Sequence, residues 1–280
     1  MDAVVNRVIA PGAIGGMEAR RVADKLDKHV DELLRGWPWM PFQHTLGISG
    51  YEVYFNHPDE LFYALALALP YLEPPTADRA KALLNQQLSQ CPPYALAGWD
   101  NRTGQPRESY DVPSGLRLLG QGKATSAFGV YAFWAWCHYA HDSAAAKSHW
   151  PAVRARMQPL LAADYRFDAH KTDYTRDEAQ TLNGDLAGLI GLARLARLND
   201  DAETAKAARL RLEQVLALRI NLERVNPKFI EKTSASKSLH IYKLARYCDL
   251  VPEVGQGLRR LTDGCAAARL KSFREQRNGW

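Results

Sequence analysis

Between residues 124 and 140 the chain leaves no polar side for a helix to turn toward water: Phe128, Val130, Tyr131, Phe133, Trp134 and Trp136 cover every direction. A helix that is apolar all round is buried all round, in a protein core or in a membrane. A membrane span needs about 20 predominantly apolar residues. No window of this sequence approaches that, and the richest run, 61–69, is bounded by Asp59, Glu60 and Pro70. The 124–140 helix therefore needs a shell made from the rest of the chain.

The rest of the chain reads as that shell. Val22, Leu26, Val30, Leu33 and Leu34 recur at spacings of three and four, which predicts an amphipathic helix over 17–34, closed by Gly36. A second helix starts near Pro58, with Asp59 and Glu60 suited to the positive end of its dipole, and carries Leu61, Leu65, Leu69 and Leu72. Pro74-Pro75 break it, and a third helix runs to about Gln90 before Cys91-Pro-Pro93. After the apolar helix comes an amphipathic one over 142–163. Thr175-Arg-Asp-Glu178 matches a capping box. The helix it opens, 179–198, is lined by Gly184, Gly188 and Gly191. An interior glycine costs up to about 1 kcal/mol, so three of them predict a close approach by a neighbouring helix. Asn199-Asp-Asp201 turns the chain into a charged helix over 202–222, and shorter helices are expected over 239–248 and from Leu250 onward. That makes about nine helices and no convincing strand. The fold expected is all-α: a complete or partial α/α toroid of helical hairpins, apolar helices inside and amphipathic ones outside. An α-solenoid is the alternative, disfavoured because no fixed repeat period is visible.

The 280 residues are enough for one large core, and 46% hydrophobic with 24% charged is a globular balance. Residues 1–16 read as an N-terminal arm and 17–280 as one helical domain, with Asn278-Gly-Trp280 reading as the end of an incomplete chain. The first 16 residues lack a signal-peptide layout, which points to the cytoplasm unless a leader precedes them; secretion or the periplasm would then follow. The net charge of +5 is spread without a Lys/Arg block, so nucleic acid is not expected as a partner. Cys91, Cys137, Cys248 and Cys265 stand apart in apolar contexts and read as packed thiols; Cys91 with Cys137-His138 lacks the paired spacing of a zinc site, and no metal or cofactor is expected.

Two long stretches resist helical periodicity. Residues 36–55 hold Trp37, Trp39, His44, Tyr51 and Tyr54; residues 97–122 hold Trp99, Asp100, Glu108, Tyr110 and Asp111. Connections this long in a compact domain are functional or disordered, and their aromatic content argues against disorder. A loop tryptophan is either a packing anchor or a binding platform, and six loop aromatics together favour a cleft.

Three stretches carry a resemblance: His57-Pro-Asp-Glu-Leu61 opening a helix that ends Leu69-Pro-Tyr-Leu72; Leu182-Asn-Gly-Asp-Leu-Ala-Gly-Leu-Ile-Gly-Leu-Ala-Arg194; and Tyr242-Lys-Leu-Ala-Arg-Tyr247 followed by Leu250-Val-Pro-Glu253. In style the chain resembles the α/α-toroid carbohydrate-active enzymes, the polysaccharide lyases and six-hairpin glycosidases. The resemblance implies a polysaccharide or oligosaccharide substrate. A lyase acting on a uronate polymer by β-elimination needs a donor to hold the carboxylate and a residue to take the proton beside it. His44, Tyr110, Tyr174, Arg176, Asn183, His240 and Tyr242 are the candidates, at most one of His240 and Tyr242 facing a cleft, with Trp37, Trp39, Tyr51, Tyr54, Trp99 and Tyr174 to bind substrate. Asn183 stands out because an amide in an apolar, glycine-lined helix needs a partner; the structural alternative is a bond to a neighbouring helix. A glycoside hydrolase would instead use two carboxylates, drawn from Asp100, Glu108, Asp111, Glu178 and Asp185. A non-catalytic helical binding protein is the third expectation.

Overall fold

A computed structural model describes residues 5, 6, 8, 16–36, 58–90, 92–95, 98–100, 105–107, 127–162, 176–225, 251 and 253. This part is all-helical in character, with seven α-helices: α1 Gly16–Gly36, α2 Pro58–Ala68, α3 Pro74–Gln90, α4 Phe128–Tyr139, α5 Ser143–Ala162, α6 Arg176–Leu198 and α7 Ala202–Val225. A 3-10 turn, Leu69–Tyr71, extends α2, and a short antiparallel pairing joins Gly98–Asp100 to Gln105–Arg107. No described helix is long and apolar enough to cross a membrane.

The helices form two layers. The inner layer is α2, α4 and α6, packed side by side in that order. Every residue of α4 from Phe128 to Cys137 is buried, as is every described residue of α6 from Asp185 to Ala196. Trp134 and Trp136 are core residues, as their place in the apolar run implied. The outer helices α1, α3, α5 and α7 bury one stripe each; in α3 it is Ala77, Ala80, Leu83, Leu84 and Leu88. Fully burying a leucine side chain is worth about 1.5–3 kcal/mol, so the leucines of α6 are a large part of what holds the layers together. On α1 the expected stripe is only partly realised. Val30 is buried, but Val22 is 43% exposed. Leu26, Leu33 and Leu34 pack partly buried against the core, and polar contacts add to them: Asp27 accepts the Glu73 N–H at 2.9 Å and the Thr76 hydroxyl at 3.2 Å, and Asp31 pairs with Arg79.

Two of the glycines of α6, Gly188 and Gly191, are explained by α4. A Cβ on Gly188 would fall 2.7 Å from the Ala127 carbonyl carbon, and one on Gly191 would fall 2.7 Å from the Tyr131 Cα. The two helices meet nearly backbone to backbone, which only glycine allows.

One turn is used twice. His141 (φ 57°) and Asp200 (φ 56°) take the left-handed conformation that ends a helix. An aspartate follows each. The Asp142 N–H reaches the Cys137 carbonyl and the Asp201 N–H the Ala196 carbonyl. Each carboxylate then caps the next helix: Asp142 accepts the Ala145 N–H at 2.8 Å, and Asp201 the Thr204 N–H at 2.9 Å. Hairpins α4–α5 and α6–α7 are thus closed by the same chemistry.

Candidate functional site

The inner helices run in one direction. Gly188 lies against Ala127 at the head of α4, Gly191 against Tyr131, and the Arg194 guanidinium sits 4.1 Å from the Trp134 ring centre. Contacts that advance together along both helices make α4 and α6 parallel. α2 follows them. Tyr63 packs edge-on against Phe128 and Tyr131. α3, which turns back after α2, leads into Pro93 and Tyr94, and these lie against Gly129 at the head of α4. The outer helices run together as well, with Arg154 against Asp201 and Arg211 donating to the Leu161 carbonyl.

The N-termini of α2, α4 and α6 therefore share one end of the layer. The connections from inner to outer helix (69–73, 140–142, 199–201) are short and lie at the opposite end. The connections from outer to inner helix (37–57, 91–127, 163–175) are long, and each leads into an inner N-terminus. Tyr94, at the root of the second one, lies 2.6 Å by its hydroxyl from His149 Nδ1 of α5 and edge-on to Phe133. Partial burial lowers the pKa of His149 and raises that of Tyr94.

Asn183 is at this end. It precedes Gly188 by about five residues, roughly 7.5 Å of helical rise, and so lies beyond the level at which α4 begins. It is buried, and its Oδ1 accepts a hydrogen bond from Arg219 Nε of α7 at 2.9 Å. That is the bond to a neighbouring helix that a buried amide requires. Asp59 in the first turn of α2 and Asp185 in α6 are also buried, and both have bonding partners.

A second polar group lies deeper. Glu253 accepts the Tyr131 hydroxyl at 2.8 Å and pairs with Arg194 at 2.8 Å. Arg194 Nε also donates to the Val5 carbonyl at 2.9 Å. Burial, reinforced by the neighbouring phenol and the Glu253 charge, pushes the Tyr131 pKa far up, and burial does the same to Tyr63. Phenols held protonated in this way are poor proton acceptors.

The other sequence candidates fall differently. His44, Tyr110, Tyr174, His240, Trp37, Trp39, Tyr51 and Tyr54 lie outside the described residues, as do Tyr242, Glu108 and Asp111. Trp99 and Asp100 are in the first strand, and Arg176 and Glu178 in the first turn of α6; the backbone is described at all four, their side chains are not. Asn183 and Asp185 are the two candidates with described side chains. Sequence reasoning passed over Arg194, Arg219, Tyr131 and Glu253. One signal was present: Arg194 shares the helical stripe of Asn183 through Ala187 and Ile190, so it too is a polar group on an apolar face. Cys137 is buried, as expected of a packed thiol, and burial raises its pKa. Among the described residues no group of His, Cys, Asp and Glu could hold a metal ion.

These features define the described residues as an all-helical assembly of layered hairpins with a parallel inner layer. Comparison of the chain with protein-family models, with curated proteins and with solved structures finds no match.

Proposed function

We propose that this chain is a carbohydrate-active enzyme of the helical-toroid kind, a polysaccharide lyase that cleaves an acidic, uronate-containing polymer by β-elimination. One observation carries the reading: the inner N-termini lie together, Asn183 is at that end, and the aromatic-bearing connections all lead into it. An inner layer curled into a ring would gather those connections over one hollow. The carboxylate of a uronate would be held there by the Asn183 amide and Arg176. A base, Tyr110, His44 or His240, would take the proton beside the carboxylate. The electron pair left behind forms a carbon–carbon double bond as the bond to the leaving sugar oxygen breaks, and that oxygen picks up a proton. Trp37, Trp39, Tyr51, Tyr54, Trp99 and Tyr174 would supply flat faces for neighbouring sugars.

The test is incubation with a panel of uronate polymers, following the ultraviolet absorbance of the unsaturated end. Cleavage with that absorbance, lost in Asn183→Ala while far-UV circular dichroism is unchanged, supports the reading. Unfolding of Asn183→Ala would assign the residue to structure alone. The buried carboxylates Asp59 and Asp185, toward the same end, favour a glycoside hydrolase as the second reading. New reducing ends without the absorbance would select it, with Asp100 as partner acid. Polymer binding with neither product would select a binding protein.

A further inference from the structure

We infer that Arg219 is a positioning residue: it decides which edge of the Asn183 amide is offered to a substrate, and so makes that position select a carboxylate. The inference rests on the lyase reading above. The two edges of an amide have nearly the same shape, one a carbonyl acceptor and the other an NH2 donor, so packing alone does not choose between them. Arg219 chooses. A guanidinium has N–H donors and no acceptor. Its Nε reaches from α7 to the amide on α6 at 2.9 Å, so the atom that meets it must be Oδ1. Both side chains are buried, and both have further partners. With Oδ1 turned toward α7, Nδ2 is turned away from it. That nitrogen carries two N–H groups, so one can meet a ligand while the other stays bonded within the protein.

The consequence is selectivity. A donor edge meets an acceptor, and among the groups on a sugar ring an ionised carboxylate accepts only, whereas a hydroxyl also donates. A hydrogen bond to an ionised acceptor is about twice as strong as one between neutral groups. An amide turned the other way would present its carbonyl, which repels a carboxylate and takes a hydroxyl instead. Arg219 thereby sets what Asn183 recognises from the far side of the amide, without touching substrate. As negative charge grows on the uronate during proton abstraction, the same N–H bond strengthens.

Asn183→Asp separates this role from a purely structural one. The aspartate keeps an acceptor for Arg219, so the urea midpoint should be no lower than that of Asn183→Ala. It has no donor and carries a negative charge, so cleavage of the uronate polymer should fall by about a hundredfold or more. Cleavage by Asn183→Asp at the wild-type rate would show that position 183 serves only as an acceptor for Arg219, and would overturn the assignment. Arg219→Met lets the amide turn over. The preference for the free-acid polymer over its methyl ester, taken as a ratio of kcat/KM values, should then fall by roughly tenfold. A smaller folded fraction leaves that ratio unchanged, so an unmoved ratio would overturn the assignment even where Asn183→Asp does not fold. If the wild-type chain cleaves no uronate polymer, the lyase reading fails and the assignment falls with it; if the wild type cleaves and the ratio is unmoved, the assignment alone fails.

Discussion

A buried arginine bonded to a buried amide is a demanding arrangement, and Asn183 with Arg219 shows why. The guanidinium is 2% exposed and the amide 5%. Replacing Arg219 by methionine keeps most of the volume and removes the donor to Asn183 Oδ1. The loss should be about 1–3 kcal/mol, read as a lower urea midpoint at unchanged slope. The pair formed by Tyr94 and His149 is sensitive to pH. Partial burial lowers the His149 pKa, against a weaker opposite pull from Asp142. The folded state then binds fewer protons than the unfolded chain below about pH 6.5. Its contribution is complete above that pH and is lost as pH falls through the folded value. His149→Gln should make the melting temperature fall less between about pH 7 and about pH 5. His138, also lowered by burial and by Arg194, leaves a residual slope.

Between elements, the deciding contacts are those of glycine and of the capping aspartates. Gly191→Ala would drive a methyl into the Tyr131 backbone, and nothing there can swing aside. Overpacking of this kind costs about 1–3 kcal/mol and should appear as a lower melting temperature with helical content retained. Asp201→Ala removes the bonds from the Thr204 N–H and hydroxyl. The expected loss is about 1 kcal/mol, and Asp142→Ala should behave alike because the turn is the same. The sum of these local rules was readable in advance. Helix limits over 58–90 and 176–225 agree with the apolar periodicity and the Pro and Asp punctuation to within a few residues. Val22 shows the limit of that method: the helix formed, but its neighbour covers only part of the expected stripe.

At the scale of the described layers, the parallel inner helices place the points where the long connections join them at one end and the tight turns at the other. That asymmetry is why Asn183→Ala, assayed for the unsaturated product, is the most informative single substitution. The all-helical character, the burial of 128–137 and the close approach at Gly188 and Gly191 followed from residue type and spacing, because each depends on neighbours within a few turns of helix. The direction of α2 and α4 relative to α6 did not. It depends on which faces meet across long connections, and periodicity carries no information about partner or polarity. The union of Val5, Tyr131, Arg194 and Glu253 was equally hidden, since a glutamate near one end of a sequence looks like any solvated charge until a fold removes it from water. Local pattern determined the helices of this protein; the enclosed charges, and the end of the layer where its long connections enter, were decided by packing, which joins residues that chain order keeps apart.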